Sequence, residues 1–203
     1  MKIIAIGRNY TEHAKELNNP VPAQPVIFMK PDTALLKDNQ PFYLPEFSQD
    51  IHHEIEVVIR IGKEGKHIAP EFALNYFDEI SLGVDFTARD VQARHKEKGL
   101  PWELAKSFDS SAPVGRFLPK DSFADPHHLH FRLDVNGETR QSGRTSEMIF
   151  RFEDIIAFVS QYITLKKGDL IFTGTPAGVG SVQIGDHLEG YLEQEKLLDF
   201  HIK

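Results

Sequence analysis

The chain has 203 residues, of which 40% are hydrophobic and 26% are charged, a balance typical of a globular protein with a sizeable core. A net charge of −7 without any basic run disfavours a nucleic-acid partner, and no apolar run approaches the ~20 residues of a membrane helix. The absence of cysteine excludes disulfides, thiolate nucleophiles and cysteine-ligated zinc.

The first half of the chain predicts short strands separated by short helices. Its first ten residues lack the apolar stretch and cleavage site of a signal peptide, so we expect a cytoplasmic protein. A strand over KIIAIG precedes a helix at about residues 10–18, which Asn9 caps and the Asn-Asn-Pro at 18–20 ends. The next predicted elements are strands at Val26–Met29 and IEVVIRIG, a short helix at Glu71–Phe77, a strand at Ile80–Phe86, and a helix that Thr87 caps and that ends near Gly99.

The second half predicts mostly strands. LHFRLDVNGETRQ alternates around Asn136 and Gly137, the strongest short signal for a β-hairpin. Ser146–Tyr162 predicts a turn and an amphipathic helix, LIFTG a strand, and the C-terminal segment two more strands. Because hairpins and irregular loops connect the strands, we predict one β-rich α+β domain over residues 1–203.

The run HHEIEVVIR places two carboxylates on one face of a strand that is apolar enough to be buried. Glu54 and Glu56 lie two positions apart, about 6.5–7 Å along the strand. A solvated face is the common explanation of such a pair, but the next three residues are apolar and fill both faces. Buried paired carboxylates require a cation or a proton, and if a metal is the cation, oxygen ligands favour Mg²⁺, Mn²⁺ or Ca²⁺. We therefore predict both as metal ligands and leave His52 and His53 unassigned.

Asp85 is the natural third ligand, because it closes the predicted strand ISLGVDF. An ordinary turn residue fits that place equally well. On the helix that follows, Arg89 and Gln92 are spaced i, i+3 and share one face. An arginine there suits a substrate carboxylate, since its guanidinium grips two oxygens at once; an exposed helix of mixed charge is the plainer alternative.

His13 and Glu16 form another i, i+3 pair, on the first short helix. A carboxylate that fixes the imidazole tautomer and stabilises the imidazolium makes an oriented general base. Surface pairs of this kind are common, so the spacing alone leaves catalysis and a plain ion pair open.

Two further segments contribute candidates. Lys106 lies near the single tryptophan, Trp102, and is either a buried cation for an oxyanion or a surface lysine. The run Gly174–Gly180 resembles a phosphate loop but lacks the Gly-Lys-Ser/Thr ending. We expect a tight turn that presents Thr175 and backbone N–H groups to an anion.

Seven segments together resemble the fumarylacetoacetate hydrolase family, and within it the short acylpyruvate hydrolases and oxaloacetate decarboxylases. They follow the family's order and spacing: GRNYTEHAKE, PVIFMKP, HHEIEVVI, GVDFTARDVQ, KGLPWELAKSFD, VNGETRQSGRTSEMIF and LKKGDLIFTGTPAGVG. The resemblance implies a mixed β-sandwich roll with short peripheral helices. It also implies a homodimer, with one Mg²⁺ or Mn²⁺ bound in each active site.

The resemblance also assigns roles to individual residues. The family's metal ligands fall on Glu54, Glu56 and Asp85. Its catalytic dyad falls on His13 and Glu16, on a helix that closes over the substrate as a lid. The remaining positions are Lys106, with a catalytic role, and the substrate contacts Arg89, Gln92 and Thr175.

The function that this resemblance implies is metal-dependent cleavage of the C–C bond of acylpyruvates (2,4-dioxo acids) to pyruvate and a carboxylic acid. The same site would also decarboxylate oxaloacetate. One alternative is a 2-oxo acid hydratase, isomerase or decarboxylase of muconate-type dicarboxylic acids on the same metal. An alternative of another class is a metal-binding module without enzymatic activity. The expected substrate is in any case a small 2-oxo acid.

Overall fold

The computed structural model describes residues 1–17 and 20–203. Its strands, in chain order, are β1 (Ile3–Gly7), β2 (Val26–Lys30), β3 (Leu35–Leu36), β4 (Ile51–His53), β5 (Ile55–Ile61), β6 (Phe77–Val84), β7 (Thr87–Ala88), β8 (Ala112–Pro113), β9 (Leu118–Pro119), β10 (His130–Val135), β11 (Glu138–Arg144), β12 (Leu170–Phe172), β13 (Gly180–Ser181), β14 (His187–Leu192) and β15 (Glu195–His201). Its helices are α1 (Thr11–Glu16), α2 (Pro70–Ala73), α3 (Arg89–Glu97), α4 (Glu103–Lys106) and α5 (Phe152–Tyr162).

Most of the strands pair into two sheets. The larger sheet has the order β2-β1-β12-β5-β6-β9 and is antiparallel except that β1 runs parallel to β12, with Ile3 opposite Leu170. The smaller sheet has the order β11-β10-β14-β15 and is antiparallel throughout. Two minor groups, β13-β4-β7 and β3-β8, complete the pairing. The predicted β-rich α+β class is confirmed.

The core lies where the two sheets meet. Ile59 and Ile80 of the larger sheet belong to the same buried cluster as Leu133 and Phe200 of the smaller one. Strand β5 is buried on both faces, whereas β10 alternates between buried and partly exposed residues, as a strand with one solvent-facing side does. Helix α5 adds to this cluster the buried residues that recur on one helical face: Phe152, Ile155, Ile156 and Val159.

The turn at Asn136 and Gly137 is as predicted. Both residues have positive φ, 54° and 79°, the conformation of the turn that matches the twist of a two-residue hairpin. It joins β10 to β11, which pair along their full lengths with one register shift after Leu133.

The predicted cap at Asn9 is wrong. Helix α1 begins at Thr11, and Tyr10 precedes it without a side-chain cap. The Asn9 amide instead donates to the carbonyls of Phe150 and Thr173, at 2.9 and 2.8 Å, and accepts from Phe150 N at 2.7 Å. The Asn9 side chain therefore bonds to backbone groups distant in sequence and does not cap the helix. The predicted end of this helix, at Asn18 and Asn19, lies outside the described residues.

Two further predictions differ from the structure around Glu54. The strand over HHEIEVVIR is interrupted there: β4 pairs with β7 and β13, and β5 joins the larger sheet. Thr87 does not cap α3 but lies in β7, where its hydroxyl accepts from Lys106 Nζ at 2.6 Å. In the described part of the chain, no helix is both long and apolar enough to cross a membrane.

Candidate functional site

Three buried carboxylates meet where β5 and β6 pair. Glu56 lies opposite Gly83 in this ladder, and Asp85 N donates to Glu54 O at 2.8 Å one step beyond it. Glu54, Glu56 and Asp85 are 5%, 2% and 1% exposed, and each offers an oxygen within 4.8 Å of the others. The antiparallel register therefore brings together the three carboxylates that the sequence singled out.

The electrostatics of this carboxylate cluster indicate a place for a cation. Burial raises the pKa of Glu56 well above its usual range, and the charges of Asp85 and Glu54 add to that effect. Burial also disfavours the charged form of Glu54, but Lys106 and then Arg89 outweigh it and lower the pKa of that group. The neighbouring cations therefore compensate the charge of Glu54 more fully than that of Glu56.

A divalent metal fits the donors that are present. Glu56 accepts one hydrogen bond, from Gly174 N at 2.6 Å. The buried Oδ1 of Asp85 forms an ion pair with Lys30 Nζ, 2.7 Å away. An all-oxygen donor set of this kind suits Mg²⁺ or Mn²⁺.

Lys106, whose role the sequence left open, is a buried residue and not a surface lysine. It ends the short helix α4 and is 3% exposed. Its Nζ donates to Glu54 Oε2 at 2.8 Å and to Asp85 Oδ2 at 2.6 Å. Burial lowers the pKa of Lys106, but Asp85 and Glu54 outweigh it, so the net shift is upward and the ammonium stays charged.

Arg89 and Gln92 share a face of α3 beside the carboxylate cluster. The Arg89 guanidinium donates to Gln92 Oε1 at 2.8 Å and to Glu54 Oε1 at 2.5 Å. Its buried Nε has no acceptor among the described residues. Arg89 is therefore anchored by two nitrogens, and its guanidinium is held in the wall of the cavity.

His13 and Glu16 lie on α1, and the structure brings them into contact. His13 is 4% exposed, and its Nδ1 lies 3.2 Å from Glu16 Oε2. The other oxygen of Glu16 accepts from Gly178 N at 3.0 Å. The carboxylate thus holds the imidazole on one side and ties the helix to the glycine-rich loop on the other.

That loop does present backbone N–H groups to anions, but both anions belong to the protein. Gly174 donates to Glu56 and Gly178 donates to Glu16. Gly174 has φ +104°, and a Cβ there would lie 2.5 Å from Asn9 Cβ, so only glycine fits. Thr175 follows it and is 3% exposed.

One small cavity of about 40 Å³ unites these groups. Eight of the nine predicted site residues line it. The ninth, Glu16, does not line the cavity but contacts His13, which does. The predicted residues in its wall are His13, Glu54, Glu56, Asp85, Arg89, Gln92, Lys106 and Thr175. Six unpredicted side chains also line it: Ile6, Arg8, Leu17, Phe28, Lys96 and Trp102.

Gln141 is a positioning residue that the sequence analysis missed. Its Oε1 accepts from Ile55 N at 3.0 Å, and its Nε2 donates to Pro176 O at 2.9 Å. A backbone N–H only donates and a carbonyl only accepts, so these two partners fix the amide orientation. Nε2 therefore also donates to Thr175 Oγ1, at 2.8 Å. Because Thr175 Oγ1 accepts this hydrogen bond, its own hydroxyl proton can be donated to a group in the cavity.

A second group of possible metal-binding residues lies on the smaller sheet. His187, Glu189 and Asp199 are half-buried and bring three ligand atoms within 4.8 Å of one another. Lys196 already contacts this group, with Nζ 3.0 Å from Glu189 and 2.7 Å from Asp199. Lys196 thus compensates the negative charge of Glu189 and Asp199, and the members of this group are more exposed than those of the buried carboxylate cluster.

Comparisons with known proteins agree with this geometry. Residues 2–201 match the family model described as fumarylacetoacetate (FAA) hydrolase, C-terminal. The chain is 46% identical to the mitochondrial oxaloacetate tautomerase FAHD1 of Mus musculus over 201 residues, which cover 99% of this chain and 91% of that relative.

Solved structures share the whole fold. The fumarylpyruvate hydrolase of Pseudomonas aeruginosa, in complex with Mn²⁺ and pyruvate, superposes with a TM-score of 0.95 at 35% identity, covering 100% of this chain and 89% of the other. The 5-carboxymethyl-2-hydroxymuconate delta-isomerase of Mycobacterium smegmatis has a TM-score of 0.87 at 36% identity, covering 99% and 78%. The fold implied by the sequence resemblance is confirmed.

Proposed function

Because this chain belongs to the fumarylacetoacetate hydrolase family, we propose that it forms and protonates the enolate of a small 2-oxo acid, and that it interconverts the keto and enol forms of oxaloacetate. One observation carries the proposal: the buried imidazole of His13, oriented by Glu16, shares a cavity with the buried carboxylate cluster. A proton acceptor and a cation site that face the same small ligand are what enolisation requires.

Glu54, Glu56 and Asp85 would hold Mg²⁺ or Mn²⁺. When bound, the metal supplies positive charge that polarises the 2-oxo group of the substrate and stabilises its enolate. Lys106 adds a buried positive charge beside the same oxygen atoms.

The C1 carboxylate of the substrate needs donors that the protein does not already use. The hydroxyl proton of Thr175 is one, and the guanidinium of Arg89 in the same cavity adds positive charge beside it. The side chain of Gln92 lines the same wall of the cavity. These groups orient the 2-oxo acid so that its carbon 3 faces His13.

His13 carries out the proton transfer in this proposal. Its Nδ1 faces Glu16, so Nε2 is the nitrogen left to accept a proton. Nε2 takes the proton from carbon 3 and returns it to the enolate oxygen, and the reverse sequence converts the enol to the ketone. Glu16 stabilises the imidazolium that forms between these two steps.

Hydrolysis of acylpyruvates is the second candidate, supported by the likeness to a fumarylpyruvate hydrolase. Here His13 takes a proton from water, and the hydroxide attacks the distal acyl carbonyl. Lys106 and Gln92 position the water or the developing oxyanion. Cleavage of the C–C bond releases a carboxylic acid and the enolate of pyruvate, which is then protonated. Decarboxylation of oxaloacetate would yield the same enolate without an attacking water.

A substrate panel distinguishes these reactions. We expect the protein, with Mg²⁺ or Mn²⁺, to accelerate the decay of enol-oxaloacetate, followed by its ultraviolet absorbance, and to do so more efficiently than it cleaves acetylpyruvate or fumarylpyruvate. A carboxymethyl-hydroxymuconate-type acid completes the panel, because one structural neighbour is an isomerase of such a compound. Faster cleavage of an acylpyruvate would make hydrolysis the main function.

His13→Ala tests the proton-transfer step. We expect a loss of about 10²–10⁴-fold in kcat, the usual contribution of a general base. The increase in unfolding temperature with Mn²⁺ should persist, because His13 is not among the predicted metal ligands. If the variant kept full activity, the assignment of the base would be wrong. If neither His13→Ala nor Lys106→Ala altered any activity, the metal-binding module would be the better account.

A further inference from the structure

The outer half of the cavity contains a cation that the proposed chemistry does not use. Arg8 lines the cavity together with Trp102 and Lys96. Its guanidinium carbon lies 5.8 Å from the centre of the Trp102 ring, within the range of a cation–π contact. The hydrogen bonds and ion pairs found in residues 1–17 and 20–203 include no carboxylate partner for Arg8.

The inner cations differ from Arg8 in this respect. Lys106 and Arg89 are both bonded to Glu54, so much of their charge is already opposed by the protein. Arg8 keeps its charge for whatever enters the cavity. A charged, half-buried donor of this kind is expected to meet an anionic group when a ligand is bound.

The backbone at Arg8 is strained. Its φ is +61°, a left-handed conformation that glycine adopts easily and arginine does not. The position is fixed on both sides, by β1, which ends at Gly7, and by the three hydrogen bonds of the Asn9 amide. Strain of this kind persists where the surrounding structure determines it and is concentrated at functional sites. The side chain of Arg8 lines the cavity.

The surroundings of Arg8 are also positive. Partial burial lowers the pKa of Lys96, and the charges of Arg8 and Arg89 lower it further. Three cationic side chains therefore lie within electrostatic reach of one another along one side of the cavity. The aromatic rings of Trp102 and Phe28, 5.9 Å apart, form part of the wall beside them. An anion held there would be partly shielded from water, which strengthens its attraction to the guanidinium.

We propose that Arg8 binds a second, distal carboxylate of the substrate, and that the site therefore selects dianionic 2-oxo acids over monoanionic ones of the same length. This inference rests on the proposed function, since it takes the C1 carboxylate and the 2-oxo group to occupy the inner end. Oxaloacetate has the required second carboxylate. Acetylpyruvate ends in a methyl ketone and lacks it.

The test compares oxaloacetate with its 4-methyl ester, which keeps the carbon skeleton and masks only the distal charge. For each compound, the turnover and the dissociation constant with Mg²⁺ are measured, the second from the shift in unfolding temperature. We expect the unmodified protein to prefer the diacid by about tenfold or more, the effect of one charge-assisted hydrogen bond. Arg8→Gln should remove this preference by weakening the diacid alone, and Arg8→Lys should restore part of it.

Two further variants separate the side chain from other effects. Arg94→Gln removes the same charge from the exposed part of α3, where Arg94 pairs with Asp90 at 3.5 Å, and should leave the preference intact. Arg8→Gly relieves the backbone strain, so we expect it to fold at least as well as the parent and still to lose the preference.

The possible failures are distinguishable. If the unmodified protein binds both compounds equally, or if Arg8→Gln weakens the binding of both alike, Arg8 does not bind the distal carboxylate. If neither compound is turned over, the proposed function fails, and the two dissociation constants still decide the role of Arg8.

Discussion

Glu56 is the residue of the carboxylate cluster with the least compensation from the protein. It accepts a hydrogen bond from Gly174, whereas Glu54 and Asp85 each contact a buried cationic side chain. Burial and the two neighbouring carboxylates raise its pKa. A bound divalent cation would remove this imbalance, so the stability of the protein and its metal affinity should be linked at this position.

Glu56→Gln should therefore have opposite effects with and without metal. In EDTA, we expect an unfolding temperature equal to or above that of the parent, because a repelling charge has been removed. With Mn²⁺ at about a hundred times its dissociation constant, the parent should gain about 2.7 kcal/mol, or roughly 5–10 °C, and the variant should gain little. Glu189→Gln, in the half-buried group next to Lys196, is the control and should keep the full response. An undiminished response in Glu56→Gln would contradict the ligand assignment.

Gln141 offers a second test at the scale of one residue. A glutamate there still accepts from Ile55 N but cannot donate to Thr175 Oγ1, so the hydroxyl proton of Thr175 turns towards residue 141. We expect Gln141→Glu to raise the dissociation constant of oxalate about tenfold, the loss of one hydrogen bond to a charged group. Calorimetry in the presence of Mg²⁺ measures this value.

A Thr175→Val background is the control for that experiment. There the hydroxyl is gone, and Gln141→Glu should change the dissociation constant less than twofold if the amide acts through it. A persistent tenfold effect would show that the added negative charge, and not the lost orientation, weakens the ligand.

Pairs of residues that lie close in the sequence could be predicted from it. His13 and Glu16 are three apart on one helix, so helix geometry alone relates them. Spacing also singled out Glu54 and Glu56, although Glu54 lies between β4 and β5 and not within one continuous strand. The role of Gln141 could not be predicted from the sequence, because its partners Ile55 and Thr175 are 86 and 34 positions away. Only the tertiary fold brings those atoms together.

At the scale of secondary-structure elements, strands and the hairpin turn followed from residue pattern, whereas helix caps did not. Apolar periodicity indicates which residues are buried, and most of these strands have buried residues. A cap depends on whether an asparagine or threonine side chain has a better partner elsewhere. The Asn9 amide makes three hydrogen bonds, to Phe150 and Thr173, and the Thr87 hydroxyl accepts one from Lys106. Neither side chain therefore caps a helix.

Helix α1 depends on a backbone contact that a single methyl group would disturb. Gly178 has φ +97°, and a Cβ there would lie 2.3 Å from Arg140 O. We expect Gly178→Ala to displace the N–H group that holds Glu16 and to lower kcat about tenfold or more, because the dyad then loses its orientation. Steady-state kinetics measures this loss, and the Mn²⁺ response should remain.

Gly185→Ala is the matched control. Gly185 has nearly the same φ, +96°, but an added Cβ would meet nothing within 4 Å. Its backbone strain should cost stability without a loss of kcat. Equal losses of kcat in the two variants would assign the effect to backbone strain in general and not to the contact with Glu16.

At the scale of the whole molecule, the homodimer stays a prediction. Tyr43 and Phe47, four residues apart, are 67% and 51% exposed, and a second copy that covered them would remove apolar surface from water. Light scattering should give twice the chain mass of 23.1 kDa at micromolar concentration. A mass of one chain under these conditions would contradict the prediction.

The pairing of Ile3 with Leu170 has a consequence for how the protein is made. At the usual 5–20 residues per second, synthesis of the chain takes roughly 10–40 s. The carboxylates at 54, 56 and 85 are translated early, but Gly174, which donates to Glu56, and Thr175, the proposed ligand contact, come much later. For most of that time the nascent chain carries these acidic residues without the fold that surrounds them. Catalytic competence should therefore arise only after residues 170–175 have been made, and chains that end before Leu170 should have none.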